Sequence, residues 1–222
     1  KKMTDLKPYT IPFTILQDTA EQQGWFFTGL KADADKQYRP LIVNVRREYI
    51  GDGLGDYTIE NYKGKVSIER KSMEDLYGTI LGFNDGRRER FEKELLTLNA
   101  MKCGCVIVEG SLGTTLQNPP DYGKKPAALN AKLLFRSLIS FQQKFDRVHF
   151  WFCDTRRLAE IMAFRVLEKF WEREQLVDEL SNPINLSPIE KTTKAKTKSE
   201  RREVFDCAVN GLIELAREDA PF

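Results

Sequence analysis

The sequence has little of what builds an extracellular, zinc-clustered or membrane protein. It holds one histidine, His149, and four cysteines, Cys103, Cys105, Cys153 and Cys207. Their spacing gives neither a dense disulfide framework nor a zinc-ligand pattern, so a reducing compartment fits best. No apolar run approaches the about 20 residues of a membrane span. The first twenty residues lack the charged start, apolar run and small-residue cleavage pattern of a signal peptide. The expectation is a soluble, unsecreted protein with no membrane partner. Excess charge is missing too, since 35 Lys and Arg stand against 33 Asp and Glu, a net +2. Any contact with a polyanion must therefore come from local patches. Internal repeats are absent. What remains is 222 residues with 41% hydrophobic content, enough for one or two domains with a core and too apolar for wholesale disorder.

Apolar residues at period two mark strands in YTIPFTILQ from Tyr9, PLIVNVRREYI from Pro40, DYTIE from Asp56 and VSIERK from Val66. Pro12 confines the first to a sheet edge or a strand start. Asn61, Lys63 and Gly64 make the turn between the third and fourth, predicting an antiparallel hairpin. Ser72 reads as the N-cap of a helix with Asp75 at its third position. A break from Gly82 to Gly86 separates this helix from one over 87–100, whose Phe91, Leu95 and Leu98 share a face. CGCVIVEG from Cys103 reads as a buried strand, and the Gly-, Pro- and Lys-rich segment 111–126 as a long surface loop. A helix over 127–145, a strand RVHFWFC from Arg147 and a helix over 155–174 follow. This order predicts an α/β fold, one mixed sheet flanked by helices, with crossovers in its second half. Residues 175–203 turn polar and basic, reading as a linker or arm, and a short helix closes the chain over 204–222.

Side chains on a strand alternate, so Glu69 and Lys71 share one face of VSIERK while Val66, Ile68 and Arg70 take the other. An acidic residue and a lysine two apart at a strand end, with more carboxylates on neighbouring strand ends, can hold a divalent metal and place a cation beside a phosphate. That is machinery for phosphodiester hydrolysis. Asp56 and Glu69 offer the hard oxygen ligands, and Lys71 the stabilising charge. Alone the pattern is ordinary, because Glu and Lys often alternate on a solvent face.

The longer string GDYTIENYKGKVSIERKSMEDL resembles the GDY…ERKxxxD signature of the ERCC4-type (XPF/Mus81/Hef) nuclease family, through Gly55, Asp56, Tyr57, Glu69, Arg70, Lys71 and Asp75. DTAEQ from Asp18 is similar to the family's D-x-R-E element, with Ala20 where the family has arginine. FNDGRRERFEKEL is similar to the helix that follows the signature. The resemblance covers about residues 12–174. It implies a restriction-endonuclease-like (PD-(D/E)xK) fold over 1–174, dependence on Mg²⁺ or Mn²⁺, and cleavage of DNA near branches, flaps or forks. It implies catalytic roles for Asp56, Glu69, Lys71, Asp18 and Glu21, and metal ligation by Asp56, Glu69 and Asp18. Arg70 and Asp75 would support the site, Arg70 from a buried salt bridge on the far face. No helix-hairpin-helix motif follows Glu174, so the form resembled is a compact one, as in phages and bacterial mobile elements.

Arg87, Arg88 and Arg90 are candidate DNA contacts, although their interleaving with Glu89, Glu92 and Glu94 equally suits a solvated helix face with internal ion pairs. Lys191, Lys194, Lys196 and Lys198 are candidates in the arm. Asp52, flanked by glycines, reads as plain turn chemistry outside the site. His149 reads as structural, and Cys103 and Cys105 as reduced thiols on one strand face. The leading expectation is a metal-dependent DNA endonuclease in the cytoplasm, at the nucleoid of a bacterial or phage host or in a eukaryotic nucleus, with homodimerisation left open. The alternative is a catalytically idle DNA-binding scaffold, which Ala20 and the missing dimerisation module allow. Arg46 or Arg47, on the strand after, could reach the place of the missing arginine.

Overall fold

Period-two patterning places strands β1 (Tyr9–Gln17), β2 (Leu41–Arg47), β3 (Tyr57–Ile59), β4 (Val66–Lys71), β5 (Cys103–Glu109) and β6 (Val148–Cys153) in one sheet, in the order β2-β1-β3-β4-β5-β6. The computed structural model describes residues 6–82, 85–120 and 126–181. The chain divides into two units, Lys1–Val177 and Asp178–Phe222, and the sheet belongs to the first. β3 pairs antiparallel with β1 and β4, the hairpin the turn residues predict, with Asn61 and Gly64 both at positive φ. β4, β5 and β6 run parallel, joined by helical crossovers. The expected restriction-endonuclease-like α/β fold is thus present.

Alternation on β5 sorts two cores. Cys105 and Ile107 face a cluster with Ile11, Ile15, Tyr57 and Ile68 under helix α5 (Arg156–Ser181). Val106 and Val108 face the opposite cluster, built by α1 (Met73–Ile80), α2 (Arg87–Asn99) and α4 (Ala127–Lys144) through Leu76, Phe91, Leu95 and Phe141. Both faces of β5 are buried, as its continuous apolar run requires.

Four elements differ from expectation. β1 is interior, between β2 and β3, and Pro12 is its fourth residue, so the proline marks neither an edge nor a strand start. Pro12 is accommodated because its register with β2 shifts between Thr10 and Thr14, and β3 pairs only with Ile15 to Gln17. β1 and β2 are parallel although no α-helix connects them; a loop with one 3₁₀ turn, Ala34–Lys36, makes the crossover. The segment 111–126 contains helix α3 (Leu112–Gln117), because Ser111 Oγ accepts the Thr114 N–H and caps it. α5 runs to Ser181, seven residues past the expected end. The rest of the expected arm and the final helix, residues 182–222, lie outside the described residues. Among the described residues no helix is long and apolar enough to cross a membrane.

Candidate active site

β4 ends where Ser72 starts α1: Ser72 Oγ accepts the Asp75 N–H at 3.1 Å. The strand's alternation therefore delivers Glu69 and Lys71 to the α1–α2 side and Arg70 to the α5 side. Lys71 Nζ lies 2.6 Å from Glu69 Oε1 and 3.2 Å from Asp75 Oδ2, and 5.1 Å over the Phe91 ring. Burial works against its charge, yet the carboxylates of Glu69 and Asp75 outweigh burial and hold its pKa above the ordinary lysine value. The group is an ammonium at any physiological pH.

Asp56 reaches the same point from the start of β3. Its backbone N–H donates to Ile68 O at 2.8 Å, and its Oδ2 accepts the Arg70 N–H at 2.7 Å, tying it across the hairpin to the Glu69–Lys71 step. Gly55 is required before it. The residue sits at φ +74°, and a Cβ there would stand 2.9 Å from Ile68 O. Burial and the neighbouring Glu69 push the Asp56 carboxyl well above the ordinary aspartate range.

Asp18, Asp56 and Glu69 line one open hollow of about 350 Å³, together with Ala20, Tyr49, Asp52 and Glu94. A second hollow, of about 330 Å³, adjoins it through Ala20, Asp56 and Glu69 and is lined further by Glu21, Arg70, Lys71 and Asp75. A single groove thus crosses the end of β4, acidic along one arm and carrying the cations along the other.

The expected residues are brought together at the groove, each with its own protein partners. Both oxygens of Asp18 accept backbone N–H groups, Ala20 N at 2.7 Å and Ile50 N at 2.9 Å. It therefore pins the β1 and β2 exits at the groove. Glu21 turns toward Arg70, whose Nε it meets at 2.8 Å, and Arg70 Nη1 lies 3.0 Å from Glu109. This is the buried salt bridge expected of Arg70, with Glu21 as a partner. Arg47, and not Arg46, reaches the loop beside Ala20, donating to Thr19 O at 3.0 Å and Glu21 O at 2.9 Å.

Arg88 is engaged internally, with Ile80 O, Ser137 Oγ, Glu92 and the Phe141 face, and Arg87 pairs with Asp85 at 2.7 Å. Arg90 is exposed. Lys191, Lys194, Lys196 and Lys198 lie outside the described residues. His149 is exposed on edge strand β6, its ring centroid 6.4 Å from that of Trp151. Cys103 and Cys105 are free thiols, 4.0 Å apart.

Two acidic residues of the groove escape the sequence reading, as does Tyr49 on its rim. Glu94 looks like one more charge on a solvated helix, but it lies three residues after Phe91 and four before Leu98, on the margin of the buried face. Burial first, then Glu69, raises its carboxyl to about 7. Asp52, read as a plain turn residue, stands on the rim and accepts the Tyr49 hydroxyl at 2.8 Å.

The donor set fits a hard divalent cation. Two carboxylates, Asp56 and Glu69, line the same open hollow, and burial together with the repulsion of Glu69 disfavours a negative charge on Asp56, a penalty that a bound cation would relieve. Among the described residues no three His, Cys, Asp or Glu side chains form a ready cage. Asp56 and Glu69 are the carboxylates that could hold such an ion, with water and substrate oxygens completing the shell as is common for Mg²⁺.

A family model described as the ERCC4 domain matches residues 36–164. Solved structures similar to this chain include XPF from Aeropyrum pernix, at 15% identity and a TM-score of 0.48, covering 75% of this chain and 69% of that one. XPF from Aeropyrum pernix in complex with DNA matches at 13% identity and a TM-score of 0.46, covering 72% and 66%. A search of curated proteins gives no match.

Proposed function

The chain belongs to the ERCC4 domain family, and from that premise we propose that it is a Mg²⁺- or Mn²⁺-dependent DNA endonuclease acting near branches, flaps or forks. The observation that carries this reading is the meeting of Asp56, Glu69 and Lys71 at the end of β4 in one open groove. Asp56 and Glu69 would hold the cation, which supplies charge neutralisation at the phosphate and a more acidic bound water. Lys71, kept positive by Glu69 and Asp75, stabilises the charge that develops on the phosphoryl oxygens; with so high a pKa it cannot serve as the base. Asp75 holds Lys71 in place from the first turn of α1. Asp18 and Arg47 fix the loop that walls the acidic arm, and Arg70 with Glu21 fixes the other side.

The test is incubation of the full chain with labelled duplex, single-stranded, flap and fork DNA in Mg²⁺, Mn²⁺ or EDTA. Cleavage of the branched forms with either metal is expected, none in EDTA, and a loss of about 100-fold or more in Lys71→Ala with far less change in DNA affinity. Tight binding to branched DNA without cutting in either metal would overturn the nuclease reading in favour of a scaffold.

A further inference from the structure

Tyr49 is 62% exposed at the rim of the acidic hollow. A large aromatic ring left in water beside a site needs a reason, and its surroundings supply one. Its hydroxyl donates to Asp52 Oδ1 at 2.8 Å, which holds the outer end of the ring. Its backbone is held on both sides: the Glu48 N–H donates to Gln17 O at 3.0 Å, and the Ile50 N–H to Asp18 Oδ2 at 2.9 Å. Asp18 in turn donates its own N–H to Asp56 O at 2.8 Å. Tyr49 is thus tied through two hydrogen bonds to the residue read as the metal ligand. Three glycines, Gly51, Gly53 and Gly55, share this wall of the hollow and put no side chain over it.

The chemistry of the two arms says what the ring faces. Among the described residues no basic side chain lines the hollow that Tyr49 borders, so away from Asp56 and Glu69, where the two hollows meet and the cation would sit, it offers a phosphate no partner. The adjoining hollow carries Arg70 and Lys71. A strand laid with its phosphate toward Lys71 presents its flat, uncharged portion, the nucleobase, toward Tyr49. A base can lie on a tyrosine face only if it is unstacked from its neighbours, as at a flap, fork or single-stranded junction.

We propose that Tyr49 is a stacking platform for an unpaired nucleobase flanking the phosphate to be cut, oriented by Asp52, and that it makes the site selective for junctions over continuous duplex. The inference rests on the nuclease reading and deepens it. Tyr49 is a binding and specificity residue and takes no part in the chemical step.

The experiment places 2-aminopurine at successive positions around the junction of a fork oligonucleotide and follows its fluorescence on binding the full chain in Ca²⁺, with cleavage of the same fork measured in Mn²⁺. Wild type is expected to quench at one unpaired position beside the cut. Tyr49→Ala should lose that quenching and bind the fork about tenfold more weakly, the lower part of the range for losing one base–aromatic stack, with duplex affinity unchanged. Tyr49→Phe should keep the quenching, and an unchanged melting temperature is expected for an exposed ring. Quenching and fork affinity in Tyr49→Ala equal to wild type, while wild type still cuts, would sink the platform and leave the nuclease standing. Equal losses on fork and duplex, or a Phe variant as weak as Ala, would reduce Tyr49 to a loop anchor. Wild type that neither binds nor cuts DNA would remove both readings.

Discussion

Lys71 is buried and charged, a combination that survives only because Glu69 and Asp75 are both within 3.2 Å. Glu94 meets the opposite circumstance: its nearest influences are burial and another carboxylate, so its folded-state pKa rises from about 4.5 to about 7. An acid whose pKa is raised on folding binds more protons folded than unfolded between those values. Stability is then greatest below the unfolded pKa and is lost as pH rises through about 7. Glu94→Gln, which imitates the protonated form, should therefore raise the melting temperature of metal-free protein at pH 8 by about 5 °C, on the order of 2 kcal/mol, and change it little at pH 4. Thermal scans in EDTA across that range check this; a variant less stable than wild type at pH 8 would mean that the carboxylate is satisfied. Strand alternation made Glu69 and Lys71 legible in the sequence, because period two leaves one choice of face. Glu94 was not legible, because a glutamate among arginines on a helix looks solvated until the register of Phe91 and Leu98 is followed to the sheet end.

At the scale of elements, the loop leaving β1 is seated by an ion network. Arg70 joins Glu21 of that loop to Glu109 at the end of β5, and Glu109 also meets Arg156 of α5 at 2.6 Å and accepts Trp25 Nε1–H at 2.8 Å. Removing the arginine leaves Glu21, its side chain 6% exposed, without that cation, and Glu109 with Arg156 alone. Arg70→Ala should cost about 3–5 kcal/mol, roughly 10 °C in melting temperature, with partial recovery when Glu21→Gln is added. A loss under about 1 kcal/mol would show that the network is exchangeable with solvent. The hairpin, the Ser72 cap and the helix after it could be read locally, since each depends on residues within a few positions. The parallel β1–β2 pair could not, because its partners are some thirty residues apart with no helix to announce the crossover. α3 was hidden by the glycine and prolines around it, although Ser111 and Thr114 carry its cap.

For the whole molecule, charge is arranged rather than accumulated. The net +2 conceals an acidic groove at the sheet end, so affinity for a polyanion must be supplied by cations elsewhere. On the α2 side the supply is thin: Arg87 and Arg88 are committed to protein partners, leaving Arg90 exposed. Residues 191–202 carry six positive side chains and one negative. If they contact phosphates, each contact releases counterions and steepens the fall of affinity with salt by about 0.9 in the log–log slope. Changing Lys191, Lys194, Lys196 and Lys198 together to Gln in the full chain should therefore flatten that slope by at most about 3.6, equally for fork and duplex, because phosphate contacts carry no structural information. The preference for fork over duplex should persist in the variant, since that preference is assigned to Tyr49. A titration of DNA affinity against salt from about 50 to 200 mM separates the two contributions. A slope identical to wild type would take the arm out of DNA binding altogether, and a slope unchanged on duplex but reduced on forks would place it at the junction instead of along the backbone.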